Sequence, residues 1–336
     1  MISHSRPWIN KEDKTNILSV LQSELLISGK QVQSFRTNLQ NISGFNEIRL
    51  TYSGQRAIEL ALSHIAVKTN KRDVILPTYV CSEVYEAILS MGFNPVLCDV
   101  GTNWIMTKET VQNHLDHNTA AIILISVFGI DVDANDFKDF DCFIINDLCQ
   151  NFDDLIKKRS YYGDFITVSF HPTKCLTALS GGALISCIAG KYPLKLMDEG
   201  WNDVMGSLVN GQLARYSDFQ KRRNKLATQY YKNLPKELSD KIYKLKSSHF
   251  RFPLWLEKGY DFKKAKKYFE TYDIAIRKGV DELLHKKFKV KNRSYKNAET
   301  CFQNTLSIPI YPSLSMASCN KIVGVTKKYF REFYGI

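Results

Sequence analysis

The stretch 165–187, FITVSFHPTKCLTALSGGALISC, places two apolar runs on either side of a short polar link. Residues 165–170 read as a core strand and 183–187 as the next, because each is a short apolar run bounded by turn-forming residues. Lys174 then stands in the link between two buried strands, with Ser169 at the end of the first. A solvated surface lysine is the plain alternative.

Working outward, apolar strands alternate with helical patterns from about 48 to 190: IRLTYS, the helix GQRAIELALSHIA, DVILP, SEVYEAILSMG, PVLCDV, a helix at 107–116, AAIILISVF, a short helix at 133–138, CFIIND and ITVSF. That rhythm predicts βαβ units and an α/β fold: a mostly parallel central sheet with helices on both faces. Beyond 200 the chain reads as a long helical region at 204–234, the strand FRFPLWL, a helix at 261–272, and the strand TLSIPIYP with a helix after it. This predicts a smaller C-terminal α+β lobe. We expect a large domain over 1–210, with an N-terminal helical arm, and a smaller one over 211–336.

Composition limits the function classes. A chain of 336 residues, 44% hydrophobic and 24% charged, buries a sizeable core. Its longest oily run, AAIILISVFGI, has eleven residues, about half of a membrane span, and the N-terminus lacks the apolar segment of a secretory signal. No membrane association and a cytoplasmic location are the expectation. Eight cysteines without a CxxC pair argue against a metal centre or a disulfide framework. The net charge of +12 draws +7 from residues 256–297, yet no nucleic-acid-binding motif accompanies it. A solvated helix face such as DFKKAKKYFE, or a basic rim attracting a phosphorylated small molecule, accounts for it better than nucleic acid does.

In open α/β sheets the ligand lies outside the carboxyl ends of the strands. Polar groups fall at four such ends: Ser53-Gly54, Tyr79, Asp147, and Ser169 with Lys174. Ser53-Gly54-Gln55-Arg56 opens a helix, so its backbone N–H groups can point at an anion; an ordinary N-cap is the alternative. Asp147 ends an oily strand and needs a partner, such as a cationic ring nitrogen or the N–H groups of a following turn. A partly desolvated Lys174 forms imines where a solvated one does not. An anion cradle, an aromatic, an acid, a hydroxyl and a lysine, in that order, match what pyridoxal 5'-phosphate requires: phosphate donors, a ring stacker, a partner for the ring nitrogen and an imine-forming amine.

At this point the sequence resembles the pyridoxal-phosphate-dependent sugar aminotransferases of the DegT/StrS type, within fold type I. The resemblance rests on LLISGKQVQSF, YSGQRAIELAL, VILPTYVCSEVYEAI, GFNPVLCDV, VFGIDVD, INDLCQNF, GDFITVSFHPTKCLTALSGGAL, GWNDVM, RRNKLATQYYKNL and LSIPIYPSLS. The SFHPTK block and the tetrad DLCQ are its most specific parts. It implies that Lys174 forms the Schiff base, Asp147 pairs with the pyridine nitrogen and Gln150 lies near the ring's phenolic oxygen. It further implies that Tyr79 stacks on the ring, that Gly54, Gln55, Arg56 and Ser169 hold the phosphate, and that Asn202 of GWN reaches the phosphate of a neighbouring subunit in a homodimer.

The activity so implied moves an amino group from an amino acid, glutamate by expectation, to a keto sugar, nucleotide-linked by resemblance, in amino-sugar and surface-polysaccharide synthesis. Related sugar dehydratases replace the lysine with histidine, so Lys174 counts against that alternative. A catalytically idle binding protein is the other rival. Departures from the family pattern bear on substrate: Gln55-Arg56 stand where threonine-alanine is usual, Ser180 where glutamate precedes the glycine pair, and Val204 where arginine follows the GxN asparagine. Arg56 either adds a phosphate charge or points away and packs. The segment from Leu184 to Gly200 is short for the family. His171 reads as a packed histidine, and Cys81, Cys149 and Cys175 as small fillers near the cofactor.

Overall fold

The computed structural model describes residues 1–27, 29–157, 159–188, 198–257, 259–290 and 293–336. Its central sheet contains β1 (Glu47–Thr51), β2 (Asp73–Pro77), β3 (Asn94–Cys98), β4 (Thr119–Ile125), β5 (Phe143–Asp147), β6 (Phe165–Ser169) and β7 (Gly182–Ser186) in the order β1-β7-β6-β5-β4-β2-β3. β7 runs antiparallel to both neighbours, and every other pairing is parallel. The mostly parallel α/β sheet expected from the alternating pattern is the one observed. Parallel strands are covered on both faces, which is why β4, TAAIILI, is buried along its whole length.

The helix Gly54–Lys68 shows why its segment folds as it does. Ala57, Ile58, Ala61, Leu62 and Ile65 recur at helical spacing and are all buried, giving one apolar stripe toward the sheet. At its start the Ser53 side chain accepts a hydrogen bond from the Arg56 backbone N–H at 3.1 Å. The N-terminal arm comprises the helices Lys11–Gln22 and Lys30–Ser43, which pack on the helix Asp203–Ala214.

Three helical expectations are corrected by local geometry. The region 204–234 is two helices, Asp203–Ala214 and Tyr216–Asn233, broken where Arg215 leaves the helical range (φ −106°, ψ 12°) and sends its guanidinium to Asp13. The short helix at 133–138 is one tight 3-10 turn, Ala134–Phe137, and that at 107–116 ends after Gln112. Of the short segment 184–200, positions 189–197 lie outside the described residues.

A second, two-stranded sheet pairs β8 (Phe252–Trp255) antiparallel with β9 (Thr305–Ile308); the helix Lys236–Tyr243 packs on β8, and the helices Phe262–Glu270 and Met316–Tyr334 pack on each other. Arg277 exchanges backbone hydrogen bonds with Ser307 of β9, and the first residues of the chain add to this layer: Ile2 bonds Asp273 and Ala275 through its backbone. Among the described residues no helix is long and apolar enough to cross a membrane.

Candidate active site

Strand register builds the site. Thr51 of β1 pairs with Gly182 of β7, Gly182 with Ser169 of β6, and Thr167 of β6 with Asp147 of β5. The ends of β1, β5 and β6 therefore open on one edge of the sheet. Two glycines let the backbone close there: a Cβ on Gly54 would stand 2.9 Å from the Ser169 Cβ and 3.1 Å from the Cys149 sulfur, and one on Gly182 would lie 2.5 Å from the Ser53 carbonyl oxygen. Gly54 thus brings the helix start onto Ser169, the pair expected to hold phosphate.

Lys174 lies in a turn stabilised from within. Its backbone N–H donates to the His171 carbonyl at 2.8 Å, and the Ala178 N–H donates to the Phe170 carbonyl at 2.9 Å. The Thr177 hydroxyl also donates to Phe170, at 3.1 Å, while the Thr177 N–H donates to the Gln212 side chain at 3.0 Å. The lysine is half-buried. His171, expected to be packed, is exposed, and its ring pairs with the Thr173 hydroxyl at 3.0 Å.

Asp147 is 6% exposed, and its Oδ1 accepts the Cys149 backbone N–H at 2.8 Å. Burial raises its pKa, opposed by the hydrogen bonds from Cys149 and then by the charge of Lys174. Burial first, and then the charges of Lys174, Glu83 and Asp147, act on the Cys81 thiol. Cys149 is governed in the same way by burial, Asp147 and Lys174. Asp147, Lys174, Cys81 and Cys149 therefore share one electrostatic neighbourhood.

Gln150 accepts the Phe128 backbone N–H at 3.0 Å and, with Lys174, lines a cavity of about 150 Å³. Tyr79 lies behind that lining. Its ring is fully buried, its hydroxyl falls where a Gly279 side chain would be, and Phe128 meets it edge-on at 6.4 Å. Burial raises the Tyr79 pKa. Asn202 caps the helix Asp203–Ala214 by accepting the Met205 N–H at 3.0 Å, which leaves its amide N–H group available.

For Arg56 the geometry supplies the second of its two uses. Its guanidinium grips Glu199 at 2.8 and 3.0 Å and Glu59 at 3.2 Å, so its charge is already compensated within the chain. Hydrogen bonding to Glu199 first, then burial acting against it, sets a pKa above the ordinary arginine value. The Gln55 side chain likewise donates to Glu59, at 3.2 Å. Ser180, in the place of the usual glutamate, donates to the Tyr52 carbonyl at 3.0 Å.

Glu199 is a partner the sequence does not signal. The same holds for His4, Arg251 and Arg277, which enter the Lys174 cavity from positions far apart in the chain.

A half-buried lysine in the neighbourhood of a buried acid at the strand ends stands beside the family comparison: the DegT/DnrJ/EryC1/StrS aminotransferase model matches residues 7–187 and 200–327. The chain belongs to that family. It is 22% identical to the UDP-4-amino-4,6-dideoxy-N-acetyl-beta-L-altrosamine transaminase of Campylobacter jejuni, over 94% of each chain. Its fold matches that of Helicobacter pylori PseC, an aminotransferase involved in the biosynthesis of pseudoaminic acid, with a TM-score of 0.87, 19% identity and coverage of 99% of this chain and 100% of that one. A GDP-4-keto-6-deoxymannose-3-dehydratase shares the fold as well, with a TM-score of 0.82 and 17% identity over 97% of this chain and 100% of that one.

Proposed function

We propose that this family member is a pyridoxal-phosphate-dependent transaminase that takes an amino group from an amino acid, glutamate foremost, and delivers it to a keto sugar carried on a nucleotide. The observation that carries this reading is Asp147: a buried carboxylate with one backbone donor and, among the described residues, no ion pair, in the same neighbourhood as Lys174. A protonated pyridine nitrogen satisfies such an acid by a charge-assisted hydrogen bond. The cradle formed by Gly54 against Ser169, which a single Cβ would fill, suits a phosphate at the helix start.

When bound, the cofactor supplies an aldehyde carbon and an electron-accepting ring. Lys174 would hold it covalently through Nζ, and the freed Nζ would serve as the base that takes and returns the donor's proton. Asp147 keeps the ring nitrogen protonated. Gln150 orients the phenolic edge, while Gly54, Gln55 and Ser169 hold phosphate. In this scheme Tyr79 supports the ring side from behind Phe128, and Arg56 contributes by fixing Glu199 and the helix start.

Homodimerisation, with Asn202 reaching a second site, is supported by apolar side chains left exposed on the arm and near the site: Leu25, Ile27, Tyr52 and Leu179. The dehydratase reading is disfavoured by Lys174 itself, since the family resemblance associates that activity with histidine.

The test is an absorbance spectrum with added pyridoxal phosphate, before and after glutamate, for the native chain and Lys174→Ala. We expect a band that glutamate converts in the native chain only, and at least a roughly 10³-fold loss of transamination in the variant. A chain that binds no cofactor would overturn the proposal; one that binds it and ignores every amino acid would keep the cofactor and discard the transfer.

A further inference from the structure

Three residues at the Lys174 cavity are not used by the scheme above. His4 is 6% exposed; its Nε2 pairs with the Ser307 hydroxyl at 3.0 Å, and its Nδ1 is buried without a partner. Arg251 and Arg277 line the same cavity, and among the described residues neither guanidinium is paired with a carboxylate. Arg251 is half-buried, where an uncompensated guanidinium is costly, and Arg277 reaches the cavity from an exposed position. Elsewhere in this chain Arg215 is paired with Asp13 and Arg159 with Asp154, while the buried Arg223 donates to the carbonyls of His249, Phe250 and Ile310.

We infer that His4, Arg251 and Arg277 form a carboxylate-binding subsite beside Lys174 that selects a dicarboxylic amino donor over its amide. The inference rests on the transaminase reading for the word donor, and on the cavity for the rest. Volume supports it. At about 150 Å³ the space is well below the several hundred Å³ of a pocket for a nucleotide-sized ligand, so it takes a small metabolite. A larger cavity, about 850 Å³, lies elsewhere, where Asp131 is paired with Lys157 and Arg159.

Charge supports it as well. Arg251, Arg277, Lys278 and Lys174 line the small cavity against one carboxylate, Asp281. Lys278 is partly occupied, 3.6 Å over the Phe302 ring and hydrogen-bonded to the Phe302 carbonyl at 3.3 Å. Arg251 lies 4.3 Å over the Phe250 ring, and among the described residues neither arginine meets a carboxylate, which a guanidinium fork matches through two parallel bonds. Burial, then Arg223 and Arg277, push Arg251 down to about 9, and burial with both cavity arginines holds His4 neutral. An entering carboxylate reverses those repulsions, and His4 can donate from one nitrogen while the other keeps Ser307.

The fold explains how the groups converge. Arg277 is held by its backbone exchange with Ser307, Arg251 precedes β8, and the chain start is tied down by Ile2 to Asp273 and Ala275, which carries His4 onto Ser307. The first residues act as a strap completing the subsite.

The experiment has two arms. Calorimetric titration of the cofactor-loaded protein with glutarate, glutaramate and butyrate should give binding at least roughly 10-fold tighter for the dicarboxylate. Arg277→Leu, at an exposed position and so compatible with folding, should abolish that gap while leaving the cofactor absorbance unchanged. In the second arm, conversion of the cofactor band is followed with glutamate and with glutamine. Arg277→Leu and His4→Phe should raise KM for glutamate roughly 10- to 100-fold with little change at saturation, and leave glutamine unaffected. Equal binding of the three probes, or glutamine accepted as readily as glutamate, overturns the subsite while the transaminase reading stands. Arg277-dependent binding of glutarate in a protein that converts no amino acid upholds the subsite and sinks that reading instead.

Discussion

Two buried aspartates are treated in opposite ways. Asp13, on the N-terminal arm, is fully buried; both its oxygens meet the Arg215 guanidinium at 2.6 and 2.7 Å, and one also accepts the Asn10 N–H at 2.8 Å. Asp147, at the end of β5, is nearly as buried but has a single backbone donor and no ion pair among the described residues. The first is a joint, completed inside the chain. The second has no such partner among the described residues, and in the proposed function its partner is the cofactor's ring nitrogen. Arg215 and the pair Arg251/Arg277 repeat the contrast with the sign reversed.

The largest effect should come from breaking the completed joint. Arg215→Ala leaves Asp13 charged and buried, at a cost of about 3 to 5 kcal/mol, read as a lowered denaturation midpoint. Asp147→Asn should leave the cofactor-free midpoint unchanged or higher, because burial already disfavours its charge, while cofactor binding is lost. Equal destabilisation by the two would erase the distinction.

Next is Gly182→Ala. The new Cβ would meet backbone on both sides, 2.5 Å from the Ser53 oxygen and 2.7 Å from the Gly54 nitrogen, so roughly 1 to 3 kcal/mol and weaker cofactor retention are expected. Gly324→Ala is the control: within the helix Met316–Tyr334 nothing lies within 4 Å of its Cβ, and a gain of up to about 1 kcal/mol is expected.

Acid should act through the histidines. Burial lowers His249 to about 4, with Arg223 adding to it, and burial lowers His4 well below its usual value. Below pH 6.5 the unfolded chain takes up protons that the folded one refuses, so stability falls as pH drops from about 6.5 toward 4. The slope is at most about 1.4 kcal/mol per pH unit for each histidine. Melting temperatures at successive pH values should show this, with a shallower fall in His249→Asn; an unchanged slope would remove His249 from the account.

The smallest effect is expected at Arg56→Leu. Its pair with Glu199 is partly solvated, and such pairs contribute about 1 kcal/mol or less. Retention of pyridoxal phosphate by the same variant, read from its absorbance after dialysis, shows whether Arg56 does more than hold the helix start.

Local patterns carried much of the fold. Seven expected strand segments match β1 to β7 because each is a short apolar run between turn residues, a signal contained in the segment itself. Ser53, Asp147, Ser169 and Lys174 were legible for the same reason, as polar groups at strand ends. The break at Arg215 was not, since it depends on Asp13, which lies 202 residues away in sequence. The duty of Arg56 could not be read either, because Glu199 comes from a different segment. The place of Cys81 near Lys174 and Asp147 agrees with its expected position by the cofactor, but the residue is exposed and not a packed filler.

The sequence by itself determined the alternation of strand and helix, the lysine link and the acid at a strand end, because periodicity and turn chemistry act over a few residues. Tertiary structure alone decided which charges are neutralised within the chain and which are left open. Compensation of a charge is settled by neighbours in space, and those of Arg56, Arg215, Arg251 and Arg277 come from segments far apart in the chain.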